Sequence, residues 1–194
     1  LSLAKEDKVK SLPLSGKSSF AVAPPPGPAA TSAYVLSATY EDTGANGMPS
    51  LSTTKQYVFK SPVLTAAEAS LTGGARKLNA GGFQIVENIK NNATATFANV
   101  DLTGVSSLSF IIAEMGNMKS GTIEVWLDSK EGTKLGTANF ANAPKIEVQA
   151  GVNMRPSGIG FKPLSGKHNI VLVFKNDQAG DDNLFMFSQL TLGK

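Results

Sequence analysis

From Val63 to the C-terminus, short runs rich in β-branched and aromatic residues recur, each closed by a turn that carries small or glycine residues. This recurrence limits the possible folds more than any other feature. ATATFANVDL, SSLSFIIAEM, GTIEVWLDS, KLGTANF, KIEVQAGV, HNIVLVFKN and NLFMFSQLTL each have the length and composition of one strand. Only TAAEASL resembles a helix, and a run so short does not hold helical structure without packing. Many short strands without helical stretches predict an all-β fold, a sandwich or a barrel. No repeat at solenoid or propeller spacing is present.

The chain ahead of Val63 reads differently. SLPLSGKSS is rich in small and turn-forming residues, and APPPGPAATS (23–32) favours polyproline II. Residues 1–32 are therefore expected to be a Pro-rich linker, or a strap laid on a domain surface. AYVLSATY (33–40) and TTKQYVFK (53–60) read as two strands joined by the loop residues EDTGANGMPS, with Ser61-Pro62 closing the pair. Two strands do not make a stable domain. Residues 63–194 are thus expected to be the main body, and residues 33–62 a hairpin extension of it or the remnant of a preceding domain. Leu1 follows no initiator Met and no signal-peptide pattern, so it reads as a processed end or an excised fragment.

Several functions are excluded by what is missing. No run of eighteen apolar residues exists, so no membrane-spanning helix is expected. Cys is absent, which removes disulfides, thiolate metal sites and a Cys nucleophile. The formal net charge is +3, of which Lys5, Lys8, Lys10 and Lys17 against Glu6 and Asp7 supply +2. The other 14 basic and 13 acidic residues leave no concentrated basic face, and nucleic-acid binding drops out. His168 is the only histidine; in SGKHN, at the start of an apolar run, it reads as a turn or packing residue. There is no GxGxxG and no GxxxxGK[ST], and Gly158-Ile159-Gly160 reads only as a turn signal. Asn92-Ala93-Thr94 matches a glycosylation sequon, a triplet common by chance. No carboxylate pair stands out as a glycosidase centre, and the chain is not expected to be an enzyme.

Alternation assigns faces. In Ile123-Glu124-Val125-Trp126-Leu127-Asp128 the aliphatic residues occupy alternate positions. With Ile123, Val125 and Leu127 in the core, Trp126 stands on the outer face between two carboxylates. IVLVF (170–174) is apolar throughout, so that strand is expected to be covered on both sides.

The stretch SGTIEVWLDSKEGTKLGTANF (120–140) resembles the central signature of family 6 carbohydrate-binding modules. SGKHNIVLVFKN (165–176) is similar to the family's GxHxLxLxF strand. Asn183-Leu184-Phe185-Met186-Phe187 stands where the family has NLDWF, and Thr65-Ala66-Ala67-Glu68-Ala69 resembles its opening strand. The resemblance covers about residues 63–194 and implies a jelly-roll β-sandwich. YVLSATYEDTGANGMPSL also looks like a segment that precedes such modules in bacterial cell-surface proteins.

The family holds sugars at two places. At the loop-end cleft, the resemblance assigns Phe83 to the first stacking aromatic and Asn183 to the last-loop Asn. The second aromatic is missing, because residues 145–149 read KIEVQ. On the concave sheet face, it assigns Trp126 and Glu124. The family's structural calcium maps one carboxylate to Glu68, while Ala66 and Phe185 stand at two other ligand positions. Calcium is the only cofactor the resemblance suggests. The expected function is a non-catalytic carbohydrate-binding module of a larger exported protein, extracellular, cell-surface or periplasmic. It would bind polysaccharide or oligosaccharide by aromatic stacking. The alternative is a degenerate module that has lost the sugar and serves as a structural or assembly domain, its partners other domains of the parent protein or neighbouring subunits.

Overall fold

The computed structural model describes residues 2–5, 8–11, 33–44 and 47–194, with side chains from Val35 onward except those of Lys60 and Phe83. The chain divides into two compact units, Leu1–Ser61 and Pro62–Lys194.

The first unit contains an antiparallel sheet of β1 (Ser2–Lys5), β2 (Lys8–Ser11), β3 (Ala33–Glu41) and β4 (Ser52–Lys60), in the order β2-β1-β3-β4. The hairpin expected at 33–60 forms in continuous register, from Ala33 opposite Lys60 to Glu41 opposite Ser52. The lead-in differs from a plain linker. SLAK and KVKS are too short and too rich in lysine to show strand alternation, yet the backbone of β1 pairs with the free edge of β3 and that of β2 pairs with β1. The Pro-rich stretch 23–32 lies outside the described residues. On β4, Tyr57, Val58 and Phe59 are all exposed.

The second unit is the all-β sandwich. Its strands are β5 (Val63–Thr65), β6 (Ser70–Thr72), β7 (Arg76–Ala80), β8 (Phe83–Glu87), β9 (Thr94–Asp101), β10 (Ser107–Met115), β11 (Thr122–Leu127), β12 (Lys134–Asn139), β13 (Ile146–Gln149), β14 (Val152–Gly160), β15 (Lys167–Lys175) and β16 (Met186–Gly193). One sheet runs β13-β14-β10-β16-β8-β7 with β5 added on β16, and the other runs β12-β11-β15-β9-β6. Inward residues of both sheets meet in one core. Leu108, Phe110 and Ile112 of β10 and Phe187 and Leu190 of β16 come from the first sheet; Ile123 and Val125 of β11, Ile170, Leu172 and Phe174 of β15, and Phe97 of β9 come from the second. The rings interlock edge to face: Phe97 against Phe187 at 6.4 Å, and Phe174 against Phe185 at 5.7 Å.

Three local readings change. TAAEASL forms a single 3-10 turn, Ala66–Glu68, before β6 instead of a helix. The hairpin β7–β8 turns at Gly81-Gly82, both with positive φ, and its polar strand RKLNA carries too little alternation to be read. Gly158-Ile159-Gly160 is no turn; it lies in β14. A Cβ at Gly158 would sit 2.9 Å from the Leu108 carbonyl oxygen, so glycine marks the close approach of β14 to β10.

Candidate functional site

The outer face of the five-stranded sheet is built from the residues that alternate with the core. On β11 these are Thr122, Glu124 and Trp126, all partly exposed. The register sets Glu124 beside Val173 and Trp126 beside Val171 on β15, with Thr94 and Thr96 of β9 beyond them and Thr72 and Ser70 at the edge. Val171 and Val173 are only 6% and 9% exposed although they face outward, as expected for a strand covered on both sides.

Trp126 and Glu124 come together as the alternation implied. The indole Nε1 donates to Glu124 Oε2 at 3.2 Å. Lys134 completes the group: its Nζ donates to Glu124 Oε1 at 2.6 Å and lies 5.4 Å from the Trp126 ring centroid. Sequence reasoning missed Lys134 because a bulge places it. Val125 faces Gly136 but Trp126 faces Lys134, so the strand skips Leu135 and turns the lysine onto the outer face. The Lys134 hydrogen bond, helped by the indole N–H, holds the Glu124 carboxyl below its ordinary range against the opposing effect of partial burial. Glu124 is therefore an ionised acceptor, not a proton donor. The second carboxylate expected beside Trp126 turns away: Asp128, at φ +65°, bonds His168 Nδ1 at 3.0 Å and the Asn169 N–H at 3.0 Å.

The loop-end candidates are placed apart from this group in the chain. Phe83 opens β8 opposite Ala80, and its side chain lies outside the described residues. Asn183 precedes β16; its carbonyl accepts the Lys119 N–H at 3.0 Å, and its Oδ1 is buried without a partner. Residues 145–149 supply the exposed edge strand β13 and no ring. A buried ion pair near this end gave no signal in the sequence beyond an acid in the apolar row Leu108, Phe110, Ile112. Glu114 and Arg155 are 8% and 7% exposed and meet at 2.9 Å. The guanidinium also holds the carbonyls of Phe140, Ala141 and Ala143, fixing the loop after β12.

The residues at Glu68 do not fit a calcium ion. Calcium takes six to eight oxygen ligands. Glu68 Oε1 instead accepts the Thr65 N–H at 2.8 Å and its hydroxyl at 3.2 Å, closing the 3-10 turn. Ala66 and Phe185 are fully buried and offer no side-chain oxygen, and the Lys77 ammonium occupies the Ala67 carbonyl at 2.7 Å. Among the described residues no group of three or more His, Cys, Asp or Glu side chains could hold a metal ion.

No curated protein matches the chain. Solved structures do. A family 6 carbohydrate-binding module from Clostridium cellulolyticum, in complex with xylose, is 25% identical with a TM-score of 0.56; the match covers 68% of this chain and 96% of the module. A module of the same family from Clostridium stercorarium, in complex with cellobiose, is 22% identical with a TM-score of 0.54, over 68% and 92% of the two chains. A β-1,3-glucan-binding module from Bacillus halodurans is 18% identical with a TM-score of 0.53, over 68% and 95%. The model of the family "Carbohydrate binding module (family 6)" matches residues 66–194, nearly all of the sandwich and more than half of the chain, and the chain belongs to that family.

Proposed function

We propose that the sandwich is a non-catalytic polysaccharide-binding module that holds a larger exported protein on its glycan, with the outer face of the five-stranded sheet as the binding surface. The observation that carries this reading is the partly exposed Trp126, fixed edge-on by Glu124 and flanked by Lys134. Sugar rings stack their C–H faces on an aromatic and give their hydroxyls to polar neighbours. Each Glu124 oxygen keeps a lone pair for a hydroxyl proton, and Lys134 keeps protons for a hydroxyl oxygen. The row of Thr94, Thr96, Thr72 and Ser70 extends the polar track across the sheet. Phe83 and Asn183 enter the proposal as contacts at the loop end. Affinity electrophoresis in soluble xylan and mixed-linkage β-glucan tests the surface. Retardation lost in Trp126→Ala but kept in Phe83→Ala supports the sheet face; the reverse pattern moves binding to the loops.

A second reading, a module that has lost its sugar and serves assembly, has one observation in its favour. Trp126 and Glu124 already satisfy each other, and among the described residues of this face no second ring is present to sandwich a sugar. Retardation absent for every glycan, in the wild type as in the variants, would favour it.

A further inference from the structure

The turn that returns Lys134 to Trp126 is anchored to β15 through Asp128. Leu127 N–H bonds the Thr133 carbonyl at 2.9 Å and Gly132 N–H bonds the Ser129 carbonyl at 3.0 Å, which closes residues 127–133 into a tight turn. Asp128, at its start, is held by its backbone N–H, which bonds the Asn169 carbonyl at 2.8 Å, and by both carboxylate oxygens: Oδ1 accepts the Asn169 N–H, and Oδ2 faces His168 Nδ1. His168 Nε2 faces the Ser165 carbonyl oxygen at 3.1 Å. An ionised carboxylate and a carbonyl are acceptors only, so both contacts are hydrogen bonds only when both ring nitrogens donate, which an imidazole does when it carries two protons. The other charged groups nearby do not compete. Lys167 stands opposite Asp101 of β9, Asp101 accepts the Thr103 N–H, and Lys130 pairs with Glu131 at 3.7 Å within the turn. Val100 is the residue opposite His168.

We propose that His168 is a positioning residue for the sheet-face site: as an imidazolium it fixes Asp128, and through Asp128 the turn that brings Lys134 to Trp126, so the site tightens on protonation and loosens when the ring loses its proton. The effect on sugar affinity rests on the polysaccharide-binding function proposed for this face; the effect on the indole does not. The Asp128 hydrogen bond and the Ser165 carbonyl both raise the proton affinity of His168, which sets the transition above the ordinary histidine range.

The chain has one histidine and one tryptophan, so each reports on itself alone. In the full chain, the imidazole proton shifts are followed by NMR against pH, and Trp126 emission is followed in the same buffers. The proposal expects an emission step whose midpoint coincides with that of the imidazole. It expects no step in His168→Gln, and emission held at the wild-type low-pH level in His168→Lys, which keeps a cation against Asp128. Emission flat through the imidazole transition, or a step that survives His168→Gln, would overturn it. Should His168→Gln fail to fold, the agreement or disagreement of the two wild-type midpoints decides. Xylohexaose and cellohexaose titrated one pH unit either side of the midpoint should bind about 5-fold more weakly on the alkaline side, the low end for linked sites. Equal affinity on both sides overturns the coupling while leaving sugar binding intact. Absence of binding at every pH sinks the sugar reading instead, and the two midpoints still decide the role of His168.

Discussion

Arg155 is the residue whose removal the fold should feel most. It is 7% exposed, pairs with Glu114 and holds the carbonyls of Phe140, Ala141 and Ala143, so truncating it strands a buried carboxylate together with three acceptors. Arg155→Ala should destabilise the sandwich by about 3–5 kcal/mol in urea unfolding, the range for a broken buried pair. Lys119→Ala removes a half-exposed pair with Asp182 and should change stability by less than about 1 kcal/mol. Equal effects would mean that the Arg155 pair is solvated in the folded protein. The Asp128–His168 pair gives stability a pH dependence with two limits. The raised His168 contributes fully below its unfolded value near 6.5, and its contribution is lost as pH rises through the folded value above that. The lowered Asp128 contributes above its unfolded value near 3.8 and loses that contribution as pH falls through its folded value. Urea midpoints measured across pH should therefore fall on the alkaline side in the wild type and stay level there in His168→Gln. At this scale the sequence showed Trp126 and Glu124, because alternation within six residues separates a face from a core. It could not show Glu114–Arg155, whose members are 41 residues apart and meet only when β10 and β14 pair.

Strands were legible wherever their apolar periodicity was intact. β11 follows the pattern so closely that its inward residues, Ile123, Val125 and Leu127, could be named from the sequence, and the unbroken apolar run of β15 marked it as covered on both sides. β7 and β14 were not legible, because RKLNA is polar and VNMRPSGIG carries Arg, Pro and two glycines. β14 is a strand because its neighbours make it one: β10 pairs with it over its whole length, and Gly158 lets the backbones approach. Gly158→Ala should cost about 1–3 kcal/mol, the usual penalty for inserting a group into a filled space. Thermal unfolding of the variant checks this, and an unchanged transition would show that β10 can shift to admit the methyl group. Irregularity also builds the site. The bulge at Leu135 gives Trp126 its cationic neighbour, and no reading of β12 by strict alternation would have put Lys134 and Trp126 on one face.

At the scale of the molecule, the buried core among the described residues belongs to one unit. Every residue of the buried cluster lies between Ala66 and Leu190, whereas the described side chains of β4 are exposed. A chain cut to residues 62–194 should unfold cooperatively within a few degrees of the full chain. Because Glu68 closes its own turn, a chelator should leave the transition of either form where it was. A fragment that fails to fold, or a transition lowered by chelation and restored by calcium, would contradict the account of what holds the sandwich together. No helix among the described residues is long and apolar enough to cross a membrane. The family of the module was legible in residues 120–140 and 165–176, which encode β11, β12 and β15, the strands that build the sheet face. The surface proposed to meet a glycan was legible only in part, since one of its three principal side chains arrives through a bulge.

The measurement that tests the central claim most directly is the fluorescence of Trp126 titrated with xylohexaose, cellohexaose and laminarihexaose, with iodide quenching before and after. A saturable spectral change with at least one of them, accompanied by protection from iodide and weakened in Glu124→Gln, is the predicted result. An indole that every glycan leaves unmoved, and that iodide quenches equally throughout, would contradict it and leave the sheet face without a sugar.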